Sequence, residues 1–251
     1  MKYDKILLTG GSGTLGQHII KSGIFKNLLA TDHQVLDITK PDSVGKFFAE
    51  NDFEAVVHCA AMARMGECEQ QPEKAIRMNI IGTANLVAAV INKEKESGKS
   101  IRFIHISTDG VYECTKGNYS EKDATIPYNK YGWTKLGAEE AVNVLSNFCI
   151  IMASFFDLES IRYYSYATDA YTSQIQIGEF VSAMATMLES GFTGTINIGG
   201  EKISDYDAYK TFKPSIKPCK LKDIQANVKF KLPEDATLDT TLWKKIQRQQ
   251  R

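Results

Sequence analysis

The chain has 251 residues, of which 43% are hydrophobic and 24% charged, and its Lys+Arg and Asp+Glu totals are equal at 30 each. This length suits one large α/β domain, and the absence of a net charge argues against a nucleic-acid partner or an anionic membrane. The five scattered cysteines form no Cys-x-x-Cys pair, and no apolar run approaches the roughly 20 residues of a membrane span. We therefore expect a cytoplasmic protein with reduced thiols, no metal centre and no membrane contact.

The first segment of the chain combines a predicted strand, a glycine turn and a predicted helix in the sequence KILLTGGSGTLGQHII, from Lys5 to Ile20. Gly10, Gly13 and Gly16 follow one another at three-residue spacing across the turn. Such glycines allow a tight turn, a close approach to a pyrophosphate and close packing of the helix on the strand. Because a helix N-terminus favours negative charge, the segment predicts dinucleotide binding, with a plain Gly/Ser turn as the alternative.

Asp32 follows the second predicted strand, residues 27–31, and lies about 20 residues beyond the first glycine of the turn. An acidic residue at this distance usually accepts hydrogen bonds from the adenosine ribose hydroxyls, and its charge would repel a 2′-phosphate. Asp32 therefore favours NAD over NADP, the alternative being a solvated aspartate in a polar turn.

Strands and helices continue to alternate in the first 150 or so residues, an arrangement typical of a parallel sheet. The predicted elements are a helix at 41–50, a strand at 55–59, a helix at 72–95, a strand at 101–106, a helix at 128–145 and a strand at 148–152. The pattern predicts an α/β fold with a Rossmann-type, doubly wound parallel sheet. Residues 154–176 are rich in Tyr, Ser and Thr without a clear period. A helix at 177–190, a strand at 195–198 and a polar tail follow, and we interpret these later segments as a lid on the first domain.

The four histidines share no metal-ligand spacing. His58 and His105 each lie inside an apolar, strand-like run. We interpret both as core side chains whose hydrogen bonds are satisfied within the protein.

Tyr131 and Lys135 are four residues apart on a predicted helix, so their side chains lie on one face, one turn apart. A phenol there can donate a proton to a carbonyl that receives a hydride, and a neighbouring ammonium would lower the phenol's pKa. A hydroxyl at a nearby strand end could hold the same carbonyl oxygen.

The Tyr-x-x-x-Lys spacing alone decides nothing, because it occurs four times. Only Tyr131 follows a strand that ends in Ser-Thr and begins a helix leading into another core strand. We therefore select Tyr131/Lys135 and assign the other three pairs to a loop or to solvated helix faces. Those three pairs are Tyr112/Lys116, Tyr206/Lys210 and Tyr209/Lys213.

Several motifs in fixed order resemble the extended short-chain dehydrogenase/reductase superfamily, and within it the dTDP-4-dehydrorhamnose reductase branch. They are GGSGTLG, LDIT, CAAMARMGECEQQPEKAIRMNIIGTANL, STDGVY and YNKYGWTKLGAEEAV. The similarity covers residues 5–153 and resumes in two later stretches. It implies an NAD(P)-binding Rossmann domain at 1–153, and a smaller substrate-binding region at 154–251 that is interleaved with the last strands of the sheet. The implied substrate is a nucleotide-diphosphate sugar with a 4-keto group, as in dTDP-rhamnose and polysaccharide biosynthesis.

The resemblance also implies roles for individual residues. Tyr131 would be the acid, Lys135 would bind the nicotinamide ribose and tune Tyr131, and Thr108 would polarise the keto group, with Ser107 as the alternative one position earlier. The remaining cofactor-binding positions fall into three groups. They are the pyrophosphate turn (Gly10, Gly13, Thr14, Leu15 and Gly16), the adenosine side (Asp32, Asp37 and Ile38) and the lining of the cofactor (Ala60 and Ala61).

The chain departs from the family pattern at three positions. Related 4,6-dehydratases carry Asp-Glu after the catalytic Thr, whereas here Asp109 is followed by Gly110, which disfavours dehydration and changes a position that is more often aromatic in the reductases. An arginine common at the end of the fifth strand is replaced by Met-Ala at 152–153, so Arg162 or Arg64 would have to supply that charge. The chain is also short for this branch, so we expect a trimmed substrate region.

These observations favour an NADH- or NADPH-dependent 4-ketoreductase of a nucleotide-linked 6-deoxyhexose. Two alternatives remain, a sugar-nucleotide epimerase on the same scaffold and a non-catalytic NAD(P)-binding regulatory subunit, since relatives of this branch serve as regulatory partners of a methionine adenosyltransferase. The resemblance further implies a possible homodimer formed through the helices at 72–95 and 128–145.

Overall fold

The computed structural model describes residues 2–161 and 163–249, and its centre is a parallel β-sheet. The strands are β1 (Ile6–Thr9), β2 (Leu28–Thr31), β3 (Ala55–His58), β4 (Arg102–Ile106), β5 (Phe148–Ala153), β6 (Phe155–Phe156), β7 (Ser165–Ala167), β8 (Tyr171–Thr172), β9 (Ile175–Gln176), β10 (Gly194–Ile198), β11 (Ile203–Ser204) and β12 (Lys217–Cys219). The helices are α1 (Thr14–Ser22), α2 (Pro41–Glu50), α3 (Met65–Gln70), α4 (Pro72–Ala75), α5 (Gly82–Ser97), α6 (Lys130–Val142), α7 (Ile177–Ser190), α8 (Asp205–Lys210), α9 (Leu221–Gln225) and α10 (Thr241–Gln249).

The main sheet has six strands in the order β10-β5-β4-β3-β1-β2, and all its pairings are parallel. The direction of winding reverses between β1 and β3. In sheets of this type, ligands bind in the crevice outside the carboxyl ends of the strands at such a reversal. The fold therefore directs attention to the segments that follow Thr9 and His58.

Helices cover both faces of this sheet. Successive strand residues point to opposite sides, and in strands made of apolar residues both faces must then be buried. Ile6 and Leu8 lie in one hydrophobic core with residues of α1, α7 and α10, whereas Leu7 lies in a second core with residues of α2, α5 and α6. Strands buried on both faces read as continuous apolar runs, which is what the sequence shows. The predicted α/β, doubly wound parallel sheet is confirmed.

The element bounds agree best where the apolar pattern is long. Helices α2 (Pro41–Glu50) and α7 (Ile177–Ser190) have the predicted bounds, and Pro41 occupies the first turn of α2. The long helix predicted at 72–95 is interrupted by a π-helical segment, Ile76–Ile81, between α4 and α5. π-Helical turns are rare and often lie near functional sites.

Two expectations about local structure were wrong. The tail after residue 198 is not merely polar, because it contains β11, α8, β12, α9 and α10, and α10 buries Trp243 and Ile246 against the sheet. The pattern in α10 is short and interrupted by charged residues, which hid it. The helix α3 was not predicted, because Cys68 is its one buried side chain among six residues and leaves no apolar period.

The segment without a clear period folds against the end of the chain. Strand β7 pairs with β12, and β8 pairs with β11, while β6 pairs with β9 inside the segment. Strands of two or three residues carry too little alternation to be recognised in a sequence. The sixth strand of the main sheet, β10, lies between these paired segments in the chain.

The helical run Pro72–Ser97 meets the length and composition expected of a membrane span, with 39% of its most apolar window buried inside the protein. Core helices of globular proteins also meet that test, and here Leu86, Val87 and Val90 are buried in the core shared with α2 and α6. The expectations of a cytoplasmic location and no membrane contact remain predictions.

Candidate active site

The glycine turn after β1 is shaped by close backbone contacts. Gly10 has a φ of 73°, and a Cβ there would lie 2.7 Å from the backbone nitrogen of Ala60. A Cβ on Gly16 would lie 2.3 Å from the carbonyl oxygen of Gly10. Gly10 therefore allows β1 to meet the end of β3, and Gly16 allows α1 to pack on the turn.

The N-terminus of α1 opens into a cavity of about 550 Å³. Gly13 is the N-cap residue, no side chain caps the helix, and its first turn carries no acidic residue. A Cβ on Gly13 would meet only the oxygen of Gly10 within 4 Å, so this side of the turn is open. Uncapped N–H groups at a helix N-terminus fit a pyrophosphate, and Thr14 and Leu15 also line the cavity.

The residues expected on the adenosine side do not line this cavity. One carboxylate oxygen of Asp32 accepts hydrogen bonds from the backbone of Gln34 and Val35 at 2.9 and 3.1 Å, which lower its pKa. Asp37 is engaged by Thr39 at 2.7 Å. Asp32 therefore makes the contacts of a turn aspartate, which is the alternative that the sequence left open.

Two further expected cofactor residues have packing contacts instead. Ile38 is buried against Gly82, and its carbonyl accepts a hydrogen bond from Asn85. The backbone of Ala60 donates to Thr9 at 3.3 Å, whereas Ala61 lines the cavity.

Asn79 holds the segment that follows Ala61 in place. The sequence analysis did not identify this residue as part of the site. It lies in the π-helical turn, where its Oδ1 accepts from the Met62 backbone at 2.8 Å and its Nδ2 donates to the Met62 carbonyl at 3.0 Å. The same Nδ2 donates to Thr134 of α6 at 2.8 Å. Asn79 therefore joins the lining after β3 to the helix that carries Tyr131, a role that only the spatial arrangement reveals.

Helix α6 reaches the end of β4 through a contact between two glycines. A Cβ on Gly132 would lie 2.2 Å from the carbonyl oxygen of Gly110, so a larger residue would push the helix away. The N-cap residue Asn129 accepts a hydrogen bond from Gly132 at 2.8 Å and fixes the first turn. This docking brings Tyr131 and Lys135 into the same cavity as Thr108.

Thr108 and Ser107 point their hydroxyls to different partners. The Thr108 hydroxyl donates to Asp109 Oδ1 at 3.0 Å, accepts from the Gly110 backbone at 3.1 Å, and is hydrogen-bonded to Tyr131. The Ser107 hydroxyl donates to the buried carboxylate of Glu139. The geometry therefore favours Thr108 over Ser107 as the hydroxyl next to the phenol.

Tyr131 is a neutral phenol in this environment. Burial raises its pKa above the ordinary value and the Asp109 carboxylate raises it further, while the hydrogen bond to Thr108 opposes this. We expected the neighbouring ammonium to bring this pKa down, but burial dominates and the net shift is upward. A neutral phenol is nevertheless the protonation state that a proton donor needs.

The side chain of Lys135 is 3% exposed and extends from α6 toward β4. Its Nζ is 3.2 Å from Nε2 of His105. Burial lowers the pKa of Lys135 to about 8, and the Glu139 carboxylate, one turn further along α6, opposes that effect. Burial also raises the pKa of Glu139. The site thus contains a buried cation whose charge depends on its neighbours.

The opposite wall of the cavity is aromatic and was not predicted. Tyr209 and Tyr166 have ring centroids 4.2 Å apart, Phe156 lies 5.4 Å from Tyr209, and Tyr163 lies 5.9 Å from Tyr166. These rings line the cavity with Phe155. Tyr209 belongs to a Tyr-x-x-x-Lys pair that the sequence assigned to a loop or a solvated face, and that assignment was wrong because α8 packs against β7.

The other discounted pairs and the candidate arginines lie elsewhere. Tyr112 lies in a loop, as one of the two predicted alternatives stated, and it is buried and stacks on Tyr119, away from the cavity lining. Arg64 is exposed and forms an ion pair with Glu67 at 2.8 Å. Arg162 lies outside the described residues.

Asp109, which lines the cavity, and Asp205, which interacts with Asp109, have carboxyl groups with raised pKa values. Burial raises the pKa of Asp109 to about 6, and burial followed by the Asp109 charge raises that of Asp205 to about 7. Among the residues the structure describes, no group of three His, Cys, Asp or Glu side chains is arranged to hold a metal ion. The cavity therefore combines a pyrophosphate cradle, a phenol, a hydroxyl and a buried ammonium.

Comparisons with known proteins agree with this arrangement. A family model described as the RmlD substrate binding domain matches residues 4–156. The chain is 34% identical over 142 residues to dTDP-4-dehydrorhamnose reductase of Mycolicibacterium smegmatis, covering 55% of this chain and 41% of that protein. It is 32% identical over 148 residues to methionine adenosyltransferase 2 subunit beta of Rattus norvegicus, covering 55% and 42%. The matched region thus spans less than half the length of these two curated relatives.

A solved structure resembles nearly the whole chain. It is dTDP-4-dehydrorhamnose reductase from Bacillus anthracis in complex with NADP, with a TM-score of 0.84 over 96% of this chain and 92% of that chain. At 19% identity, this likeness establishes the fold.

Proposed function

The chain belongs to the RmlD substrate binding domain family, and from this premise we propose that it is an NAD(P)H-dependent reductase of a 4-keto group. The proposed substrate is a nucleotide-diphosphate 6-deoxyhexose. The observation that carries the proposal is the convergence of Thr108, Tyr131 and Lys135 on the cavity that begins at the glycine turn. The similarity to reductases of such sugars supports it.

Each residue has a distinct part in the proposed reaction. When bound, the reduced nicotinamide supplies the hydride to C4 of the sugar. Tyr131, as a neutral phenol, donates its proton to the carbonyl oxygen, and the Thr108 hydroxyl donates a hydrogen bond to the same oxygen. The Lys135 ammonium stabilises the phenolate that remains and holds the nicotinamide ribose.

The chain also offers a divided binding surface for the two ligands. We assign the cofactor to residues 1–153, with its pyrophosphate on the turn at residues 10–16. The sugar nucleotide is assigned to residues 154–251, whose rings form the aromatic wall. Asp32 leads us to expect NADH to be preferred to NADPH.

The first test is absorbance at the nicotinamide band with purified protein, NADH or NADPH, and dTDP-4-keto-6-deoxy-L-mannose generated in the cuvette. Steady oxidation is expected, and it should be faster with NADH. Changing Asp32→Ala should raise the use of NADPH relative to NADH about fivefold, because it removes a carboxylate charge that would repel the 2′-phosphate. An unchanged ratio would contradict the role of Asp32.

Similarity to a methionine adenosyltransferase subunit favours one second candidate, a regulatory subunit without catalysis. That function predicts cofactor binding without oxidation, together with a stable complex with a methionine adenosyltransferase. Mixing the two proteins and measuring their mass by light scattering distinguishes it from the reductase. Tightly bound NAD without net consumption would instead indicate an epimerase.

A homodimer is a further part of the proposal. Trp133 of α6 is 56% exposed and Ile81, the last residue of the π-helical segment before α5, is 42% exposed, so apolar side chains remain uncovered on this part of the protein. Pairing of this face across a two-fold axis would cover them. Sedimentation of Trp133→Glu should give a monomer if this face forms the interface, whereas a dimer unchanged by that substitution would exclude it.

A further inference from the structure

Two histidines lie side by side in the sheet but differ in their contacts. His58 of β3 and His105 of β4 are register partners, with ring centroids 5.3 Å apart. The nitrogens of His58 are both paired, Nδ1 with Thr9 at 2.7 Å and Nε2 with Thr83 at 2.9 Å. His58 is therefore the satisfied core histidine that the sequence predicted.

His105 does not meet that expectation. It is 1% exposed, its Nε2 lies 3.2 Å from Nζ of Lys135, and its Nδ1 has no hydrogen-bond partner among the described residues. A buried polar group without a partner is unfavourable and rare, so it requires an explanation. Because Nδ1 is unpaired, attention falls on the hydrogen bond that the other nitrogen, Nε2, makes with Lys135.

The hydrogen bond to Lys135 fixes the protonation state of His105. An ammonium can only donate, so Nε2 must present its lone pair, and the proton of the neutral ring must be on Nδ1. Burial, the Lys135 charge and His58 keep the His105 pKa well below its ordinary value. The ring therefore remains a neutral acceptor that faces the ammonium.

The groups around Lys135 leave His105 as its positioning contact. Tyr131 and Glu139 flank it on α6, and Ser107 donates to the Glu139 carboxylate. From β3 and the residue after it, His58 and the half-buried Cys59 thiol lie close enough for the ammonium to lower their pKa values. From β4, His105 accepts the hydrogen bond directly. His58, His105, Glu139 and the ammonium itself are buried, so protein groups dominate the environment of Lys135.

We propose that His105 is a positioning residue that holds the Lys135 ammonium in place for the cofactor and Tyr131 by accepting a hydrogen bond at Nε2. The proposal rests on the proposed function, because Lys135 acts only in a pocket that binds nicotinamide. His105 has two effects. It directs Nζ into the cavity, and it favours the charged form of Lys135, whose pKa burial has already lowered to about 8.

The test compares His105→Gln, which retains an acceptor, with His105→Leu, which lacks one. NADH and NADPH are titrated by fluorescence from pH 6 to 9.5, and the pH midpoint at which affinity is lost is recorded. For His105→Leu, the midpoint should move down by about one pH unit, with affinity at pH 8 about fivefold weaker. His105→Gln should move it by less than half as much. The matched control, His58→Gln, should lower thermal stability without moving the midpoint.

Long-range 1H–15N spectra of the four histidines give a readout that requires neither activity nor cofactor. His105 should show the Nδ1–H tautomer below pH 8, where Lys135 is charged, and Lys135→Met should change the Nε2 resonance of His105 but not those of His58. An Nε2–H tautomer, or an unchanged midpoint in His105→Leu, would overturn the proposal. Failure of the wild-type protein to bind either nicotinamide would instead overturn the proposed function, while the tautomer still decides whether His105 accepts from Lys135.

Discussion

The two ends of strand β4 each hold a buried cation, but in opposite ways. At the amino end, which we call the arginine end, Arg102 is fully buried and donates to carbonyl oxygens of Phe148, Met187 and Phe192 at 2.6–3.1 Å and to the Asn147 side chain at 3.1 Å. At the carboxyl end, the pocket end, Lys135 is held by His105 and lies near Glu139.

The difference lies in the nature of the partners. The arginine end uses fixed neutral dipoles, including a carbonyl in the last turn of α7, where the helix dipole is negative. The pocket end uses groups that titrate, and burial moves their pKa values away from the ordinary ones. Permanent dipoles fix a charge for stability, whereas titratable neighbours leave it adjustable, as expected where chemistry takes place.

The largest effect should come from removing the phenol at the pocket end. Tyr131→Phe should lower kcat by about 10²–10⁴, the range attributed to general acid catalysis, and leave cofactor affinity nearly unchanged. Steady-state kinetics and cofactor titration measure both quantities. Tyr112→Phe is the matched control from another Tyr-x-x-x-Lys pair, and it should retain activity. Comparable turnover in the two variants would remove Tyr131 from the mechanism.

The two hydroxyls after β4 test the register of the pocket end. Thr108→Val should lower kcat by about 10²–10³, because it removes a donor to the carbonyl oxygen. Ser107→Ala should have a smaller effect on kcat, since this hydroxyl is engaged by Glu139. Both variants are compared by kcat at saturating cofactor. The reverse order of effects would assign the role to Ser107.

The arginine end should respond in stability alone. Arg102→Met removes the donors to several buried oxygens and should lower the free energy of unfolding by about 2–4 kcal/mol. Urea denaturation measures this loss, and activity per folded molecule should be unchanged. Arg102→Lys keeps the charge with fewer donors and should lie between the two. Loss of activity in a folded Arg102→Met protein would contradict the separation of the two ends.

The pH dependence of stability should be specific to the pocket end. The folded-state pKa of Asp109 is raised to about 6 from an ordinary value of 3.8. The protonated Asp109 carboxyl group therefore stabilises the folded protein. This contribution to the free energy of unfolding is fully present below the unfolded pKa and is lost as the pH rises through about 6. Each pH unit between the folded and unfolded pKa values corresponds to about 1.4 kcal/mol in the free energy of unfolding.

Removing the titrating group tests that sign. Asp109→Asn should be more stable than the wild-type protein at pH 8, and the difference should decrease toward pH 4. Chemical denaturation at several pH values measures it. Arg102→Met at the other end should show a pH-independent difference from wild type over the same range, because arginine stays charged throughout it. A constant difference for Asp109→Asn would show that its carboxyl group does not titrate in this window.

The sequence predicted the parts of the fold and site that depend on local pattern. The apolar strands, the bounds of α2 and α7, the glycine turn and the spacing of Tyr131 and Lys135 are all encoded by neighbouring residues. Selecting Tyr131 among four equivalent pairs needed the strand before it and the helix after it. The structure brings this residue to the cavity with Thr108.

The rest depends on contacts between distant segments. Tyr209 reaches the cavity because α8 packs against β7, and the short strands 165–167 and 217–219 pair across a large sequence separation. His105 looks like an ordinary core residue until Lys135 is placed beside it. A sequence pattern cannot distinguish a satisfied histidine from one with an unpaired nitrogen, because the difference lies in the partner and not in the residue.

The pairing of β5 with β10 also has a consequence for synthesis of the chain. Strand β5, Phe148–Ala153, is almost entirely buried, yet one of its edges is covered only when Gly194–Ile198 joins the sheet. A ribosome adds about 5–20 residues per second, so the backbone groups along this edge of an apolar strand stay unpaired for several seconds. A nascent chain arrested before Gly194 should therefore recruit chaperones or aggregate, whereas the released chain of 251 residues should not.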